Sequence, residues 1–68
     1  MIRTDDELRT TMQRIAQMQA QVARLRAMES DAANYHASSS GFLREIDRMQ
    51  LEVREYLSMH PTEIMSQT

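Results

Sequence analysis

No cysteine and no tryptophan occur in this chain of 68 residues, and glycine and proline appear once each, as Gly41 and Pro61. Without cysteine there are no disulfides and no cysteine-ligated zinc. Without repeated Gly and Pro a sheet architecture is excluded, because successive strands need turns and turns need those residues. Lysine is missing as well: all eight basic residues are arginine, set against ten acids for a formal net charge of -2. No run of three basic residues occurs, so no stripe exists to track a phosphate backbone, and a nucleic-acid partner is disfavoured. There is no stretch of 18 apolar residues and no secretion-signal h-region, so no membrane association is expected and the expected location is cytoplasmic. A single domain this small rarely encloses a pocket, so neither an enzyme nor a bound cofactor is expected.

What is present is helical periodicity. Thr4 and Glu7 stand at the capping-box spacing, with the Thr hydroxyl positioned to accept from the Glu7 N–H and the Glu side chain to return a bond to the Thr4 N–H. Asp5, Asp6 and Glu7 fill the first turn, where negative charge suits the helix dipole. Beyond them the apolar residues follow a heptad, with Leu8, Ile15 and Val22 at a and Thr11, Met18 and Leu25 at d. Met12 and Met28 widen the stripe. Ala, Gln and Arg on the outer face are strong helix formers, so propensity and pattern agree. The spacing predicts a helix over about 5–28.

The second helix is marked by Phe42, Ile46, Met49, Val53 and Tyr56, flanked on one side by Leu43 and Leu57. Pro61 ends it, since the residue before a proline is pushed out of the helical region; the expected last residue is Met59, give or take two. Its start has two readings. Ser38, Ser39 and Ser40 offer N-caps ahead of Gly41. An earlier start near Ser30 or Asp31 places Tyr35, Phe42, Met49 and Tyr56 in one row spaced by sevens, with Ala32 and Ser39 in the neighbouring row. The early start also leaves a short connection and two helices of matched length, and is preferred. It predicts a helix over about 31–59 with a weak or kinked stretch around Ser38–Gly41. The expected fold is thus all-α, an antiparallel two-helix hairpin over 1–60 followed by a flexible tail at 61–68.

Few residues carry chemistry. A di-metal bundle needs Glu three positions before His, whereas Ala33 precedes His36 and Leu57 precedes His60. Both histidines therefore read as surface or structural, His60 at a helix C-terminus. The serine cluster reads as a cap or flexible step, with a modification site as the sharper alternative. The seven Met residues read chiefly as adaptable core fillers, and alternatively as a surface that repacks against several partners. Leu51 falls on the outer face, away from the stripe.

A lone hairpin leaves half of each stripe wet. The expected remedy is a second copy, giving a four-helix bundle of two-fold symmetry, or a helical partner protein. The expected interface comprises Leu8, Ile15, Met18, Val22, Leu25, Tyr35, Phe42, Leu43, Ile46, Met49, Val53, Tyr56 and Leu57. Glu45 and Glu52 on one helix edge, against Arg14 and Arg26 on the other, allow charge pairs that select register.

Met1-Ile2-Arg3-Thr4 with the acidic helix start resembles the opening of small bacterial proteins from toxin–antitoxin-like loci. The segment from Gly41 through Met49, continued by Leu51-Glu52-Val53-Arg54-Glu55-Tyr56-Leu57, resembles the second arm of the helical hairpin that precedes a repressor-type helix-turn-helix domain in some of them. The resemblance spans Met1 to Pro61 and rests on generic helical motifs. It implies a dimerisation or partner-binding hairpin in which the DNA-binding domain is missing. A non-enzymatic interaction module is the leading expectation. A small secretion or folding chaperone using the Met-rich face, and a nucleic-acid-binding regulator, are the alternatives.

Overall fold

The computed structural model describes residues 1–66, with side chains through Glu63. Two long helices, α1 (Asp5–Met28) and α2 (Ala32–Leu57), run antiparallel and pack along their length. A short helix, α3 (Pro61–Ser66), follows. The described residues contain no strand. With α3 included, the chain is a rod of 52 × 16 × 13 Å.

Local chemistry accounts for each boundary. Thr4 is extended, and its hydroxyl accepts from the Glu7 N–H at 3.1 Å. The reciprocal half of the cap differs from expectation by one residue. Glu7 Oε2 accepts from the Arg3 N–H at 2.8 Å rather than from Thr4, which ties the chain ahead of the helix to its first turn. At the other end of α1 the Glu29 N–H donates to the Leu25 carbonyl. Asp31 then caps α2, its Oδ1 accepting from the N–H groups of Ala33 at 2.9 Å and Asn34 at 3.3 Å. Glu29 and Asp31 both keep extended backbone with negative φ. The turn needs no left-handed residue, and therefore no glycine.

The early start of α2 is the correct one, and the helix runs unbroken through Ser38–Gly41. The serines act neither as caps nor as a break: Ser40 donates back to the Ala37 carbonyl, a bond that lets serine sit inside a helix. α2 ends at Leu57 rather than Met59. Ser58 donates from its side chain to the Glu55 carbonyl at 2.6 Å, and the Met59 N–H reaches the Tyr56 carbonyl at 3.2 Å. Both bonds tighten the last turn and close the helix before the restraint of Pro61 is felt.

Pro61 then opens α3, at the position where its missing N–H is harmless and its fixed φ is already helical. His60, expected at a helix C-terminus, instead caps this new helix. Its Nδ1 accepts from the Thr62 N–H at 3.3 Å, and its carbonyl accepts from Glu63. The segment expected to be a flexible tail over 61–68 is thus helical over Pro61–Ser66, and its last two positions lie outside the described residues. Among the described residues α3 packs against neither long helix.

Candidate partner-binding surface

The seam between the helices is thin. Ile15, Ile46 and Met49 are buried, with Met18, Val22 and Val53 packed against them. Leu8, Leu25, Tyr35, Phe42 and Tyr56 are only half-covered. Leu43 and Leu57, expected at the interface, remain 44% and 62% exposed, as does Met12 at 50%. Tyr35 lies in the row expected of it, its ring edge-on to His36 at 5.6 Å.

Two members of the interior were not foreseen. Ile2 is buried although it precedes the first helix. An apolar residue just ahead of an N-cap is the signal that a hydrophobic staple uses, but Ile2 stands one position too early for the standard motif. Among the described residues Ser39 is the most covered, at 1% exposure, and its hydroxyl has no hydrogen-bond partner. Its place in the heptad, seven before Ile46, is visible in the sequence; its burial is not, because serine reads as polar surface.

Charge divides the long sides of the hairpin. One side carries Glu7, Arg14, Arg48 and Glu52 around a shallow groove that Met1 and Ile2 partly fill. Arg48 lies between Glu45 and Glu52, bonded to the first through two nitrogens and to the second at 3.2 Å. The amino group of Met1 adds a contact to Glu52 at 3.1 Å. The hydrogen bond from Arg48, helped by the charges of Arg48 and Arg14, holds the Glu45 carboxyl below the usual carboxylate range. The same bond raises Arg48 further above its already high value. At the open end the Tyr56 hydroxyl donates to Asp5 Oδ1 at 2.7 Å. That bond, with partial desolvation and the nearby negative charge, pushes the phenol up from its ordinary value.

The opposite side is open, with an uncharged groove at its centre. Met12, Ile15, Ala16 and Gln19 of α1, with Gln50 and Val53 of α2, line a shallow groove that contains no charged residue. Leu43 and Leu57 stand seven positions before and after Gln50, so helical spacing places them on the same side. Leu51 is exposed on the outer face of α2, where the spacing had placed it.

No group of three or more His, Asp or Glu capable of holding a metal occurs among the described residues. No helix among them is long and apolar enough to cross a membrane. The fold and surface thus define a helical hairpin with one side of paired charges and one open side around an uncharged groove. Comparison with known proteins adds nothing to that class: no family model, no curated protein and no solved structure matches the chain.

Proposed function

We propose that the hairpin is a non-enzymatic helical interaction module that completes its core by joining a second helical surface, most simply that of another copy. The observation that carries this reading is the mismatch between apolar surface and cover. The accessible surface is 5610 Å², whereas a compact protein of 7.9 kDa exposes about 4,400 Å². The excess, about 1,200 Å², is larger than the roughly 800 Å² each partner contributes to a standard interface. Met12, Leu43 and Leu57 stay open beside a hydrophobic cluster of three buried residues. The resemblance of the Gly41–Leu57 arm to hairpins that precede repressor domains favours a regulatory or toxin–antitoxin-like setting for the module.

Helicity measured by circular dichroism across a dilution series, with mass by sedimentation, tests the reading. Self-association predicts a mass near twice 7.9 kDa and a loss of helix on dilution, because folding and assembly are then linked. A monomer that keeps its full helix content at nanomolar concentration would refute it.

A further inference from the structure

The open side of α2 carries an order of residues that is complementary to its own reverse. Leu43, Asp47, Gln50, Arg54 and Leu57 follow one another at steps of four, three, four and three, so they form one stripe along the helix. All five are exposed. Gln50 stands at the centre, beside the groove that Met12, Ala16 and Gln19 line on α1. Leucine ends the stripe on both sides, at equal distance from Gln50. Between centre and ends lie one acid, Asp47, and one base, Arg54.

Neither charge is used within the hairpin. Among the described residues the ion pairs are Asp6 with Arg9, Arg48 with Glu45 and Glu52, and the amino terminus with Glu52. Asp47 and Arg54 are seven residues apart, roughly 10 Å along the axis, too far to pair with each other. The opposite side of the hairpin differs on this point, since Arg48 there is already held between two carboxylates.

We infer that a second copy of this chain docks on the stripe through a two-fold axis passing near Gln50, perpendicular to α2. Reversal about that axis brings Asp47 against Arg54 of the second copy and Arg54 against Asp47 of the second copy. Leu43 meets Leu57 of the second copy at each end, and the two Gln50 side chains meet at the middle. The charges are centred half a residue away from Gln50, under 1 Å by the helical rise, which side chains span easily. Two-fold contacts require this kind of self-complementarity, in which residue i meets j and j meets i. Ala16 flanks the centre and leaves room for close approach. The alternative axis, parallel to the helices, would set Asp47 against Asp47 and Arg54 against Arg54, a like-charge arrangement that works against it.

This inference rests on the self-association reading above, and charge reversal separates the two. Asp47→Arg leaves one chain with two bases on the stripe, and Arg54→Asp leaves another with two acids. Sedimentation equilibrium on each full-length variant is expected to show dimerisation weakened about tenfold, since two attractive contacts per dimer become repulsive. An equimolar mixture of the two variants is expected to restore wild-type affinity as a heterodimer, because both contacts are attractive again. Variants that lose helix alone and regain it on mixing support the inference equally. Leu43→Gln, which keeps the charges, is expected to weaken the homodimer about tenfold. If the wild type dimerises but neither reversal weakens it, or the mixture fails to pair, this face is the wrong one while self-association stands. A wild-type folded monomer sinks the reading beneath it as well.

Discussion

In the half of the hairpin nearer its open end, Ile2, Ile15, Ile46 and Met49 are buried, and Tyr56 bonds to Asp5 across 51 positions of chain. In the half nearer the turn, the only side chain covered to that degree is Ser39. That half is lined on α2 by Ala32, Ala33, Ala37, Ser38, Ser39, Ser40 and Gly41, and local bonds add to its order: the Asp31 cap, and Glu29 Oε1 accepting from the Asp31 N–H at 3.2 Å. The open half is held by fully buried apolar side chains, and the turn half by partly covered ones, Val22, Leu25, Tyr35 and Phe42, together with the caps. Opening free energy in proteins follows buried apolar contact. Amide exchange should therefore be slower around Ile46–Tyr56 than around Ala33–Ser40.

Substitutions sharpen or break that contrast. The largest effect is expected from Ile46→Ala, which empties the best-buried isoleucine and should cost about 2–5 kcal/mol in chemical denaturation. Tyr35→Ala, in the turn half, removes a half-covered ring and should cost less, about 1–2 kcal/mol. Equal losses at the two sites would erase the distinction between the halves. Ser39→Ala is expected to act in the opposite direction. It removes an unpartnered buried hydroxyl at nearly constant volume and inserts a better helix former, for a gain of about 1–2 kcal/mol. A loss there would mean that the hydroxyl has a partner after all. Gly41→Ala should gain about 1 kcal/mol, because a Cβ at this helical position meets no atom within 4 Å.

The smallest effects are those of pH, and they belong to the open half. Glu45 has a lowered folded-state value. Its contribution is present above the ordinary carboxylate range and is lost as pH falls through the lowered value. Tyr56 has a raised value. Its contribution is complete below about pH 10, the ordinary value for the phenol, and is lost as pH rises through the raised one. Both groups are exposed enough for salt and water to keep the effects small. Thermal melts should show Tyr56→Phe abolishing the alkaline sensitivity and Glu45→Gln reducing the acid sensitivity. Wild-type melts that are flat across both ranges would show these contacts to be idle.

The sequence was most legible where the deciding interactions are local. Thr4 and the acidic turn after it mark the start of α1, and the sevenfold spacing of Tyr35, Phe42, Met49 and Tyr56 marks the early start of α2 against the competing signal of three serines. Caps and heptads act within a turn or two of chain, so the residues that encode them lie side by side. The end of α2 falls at Leu57, at the near limit of the range expected around Met59, where Ser58 back-bonding closes the helix ahead of the proline. The candidate surface was legible only in part. A heptad marks the centre of an apolar stripe, as Ile15, Ile46 and Met49 bear out. It does not say how far round the helix the hairpin's own seam reaches; Leu43 and Leu57, expected to flank the stripe, stand at its open edge.

By itself, then, the sequence determined an all-helical hairpin, its turn and nearly all its helix ends, through periodicity and capping that need no distant partner. Only the tertiary structure decided that Ile2 folds back into the interior, that Ser39 is hidden with its hydroxyl unpaired, and that Tyr56 reaches Asp5. It also decided which long side carries the paired charges and which carries the uncharged groove. Each of these depends on the rotation of one helix about its axis relative to the other. That angle is fixed by the fit of side chains far apart in the chain, and no local pattern records it.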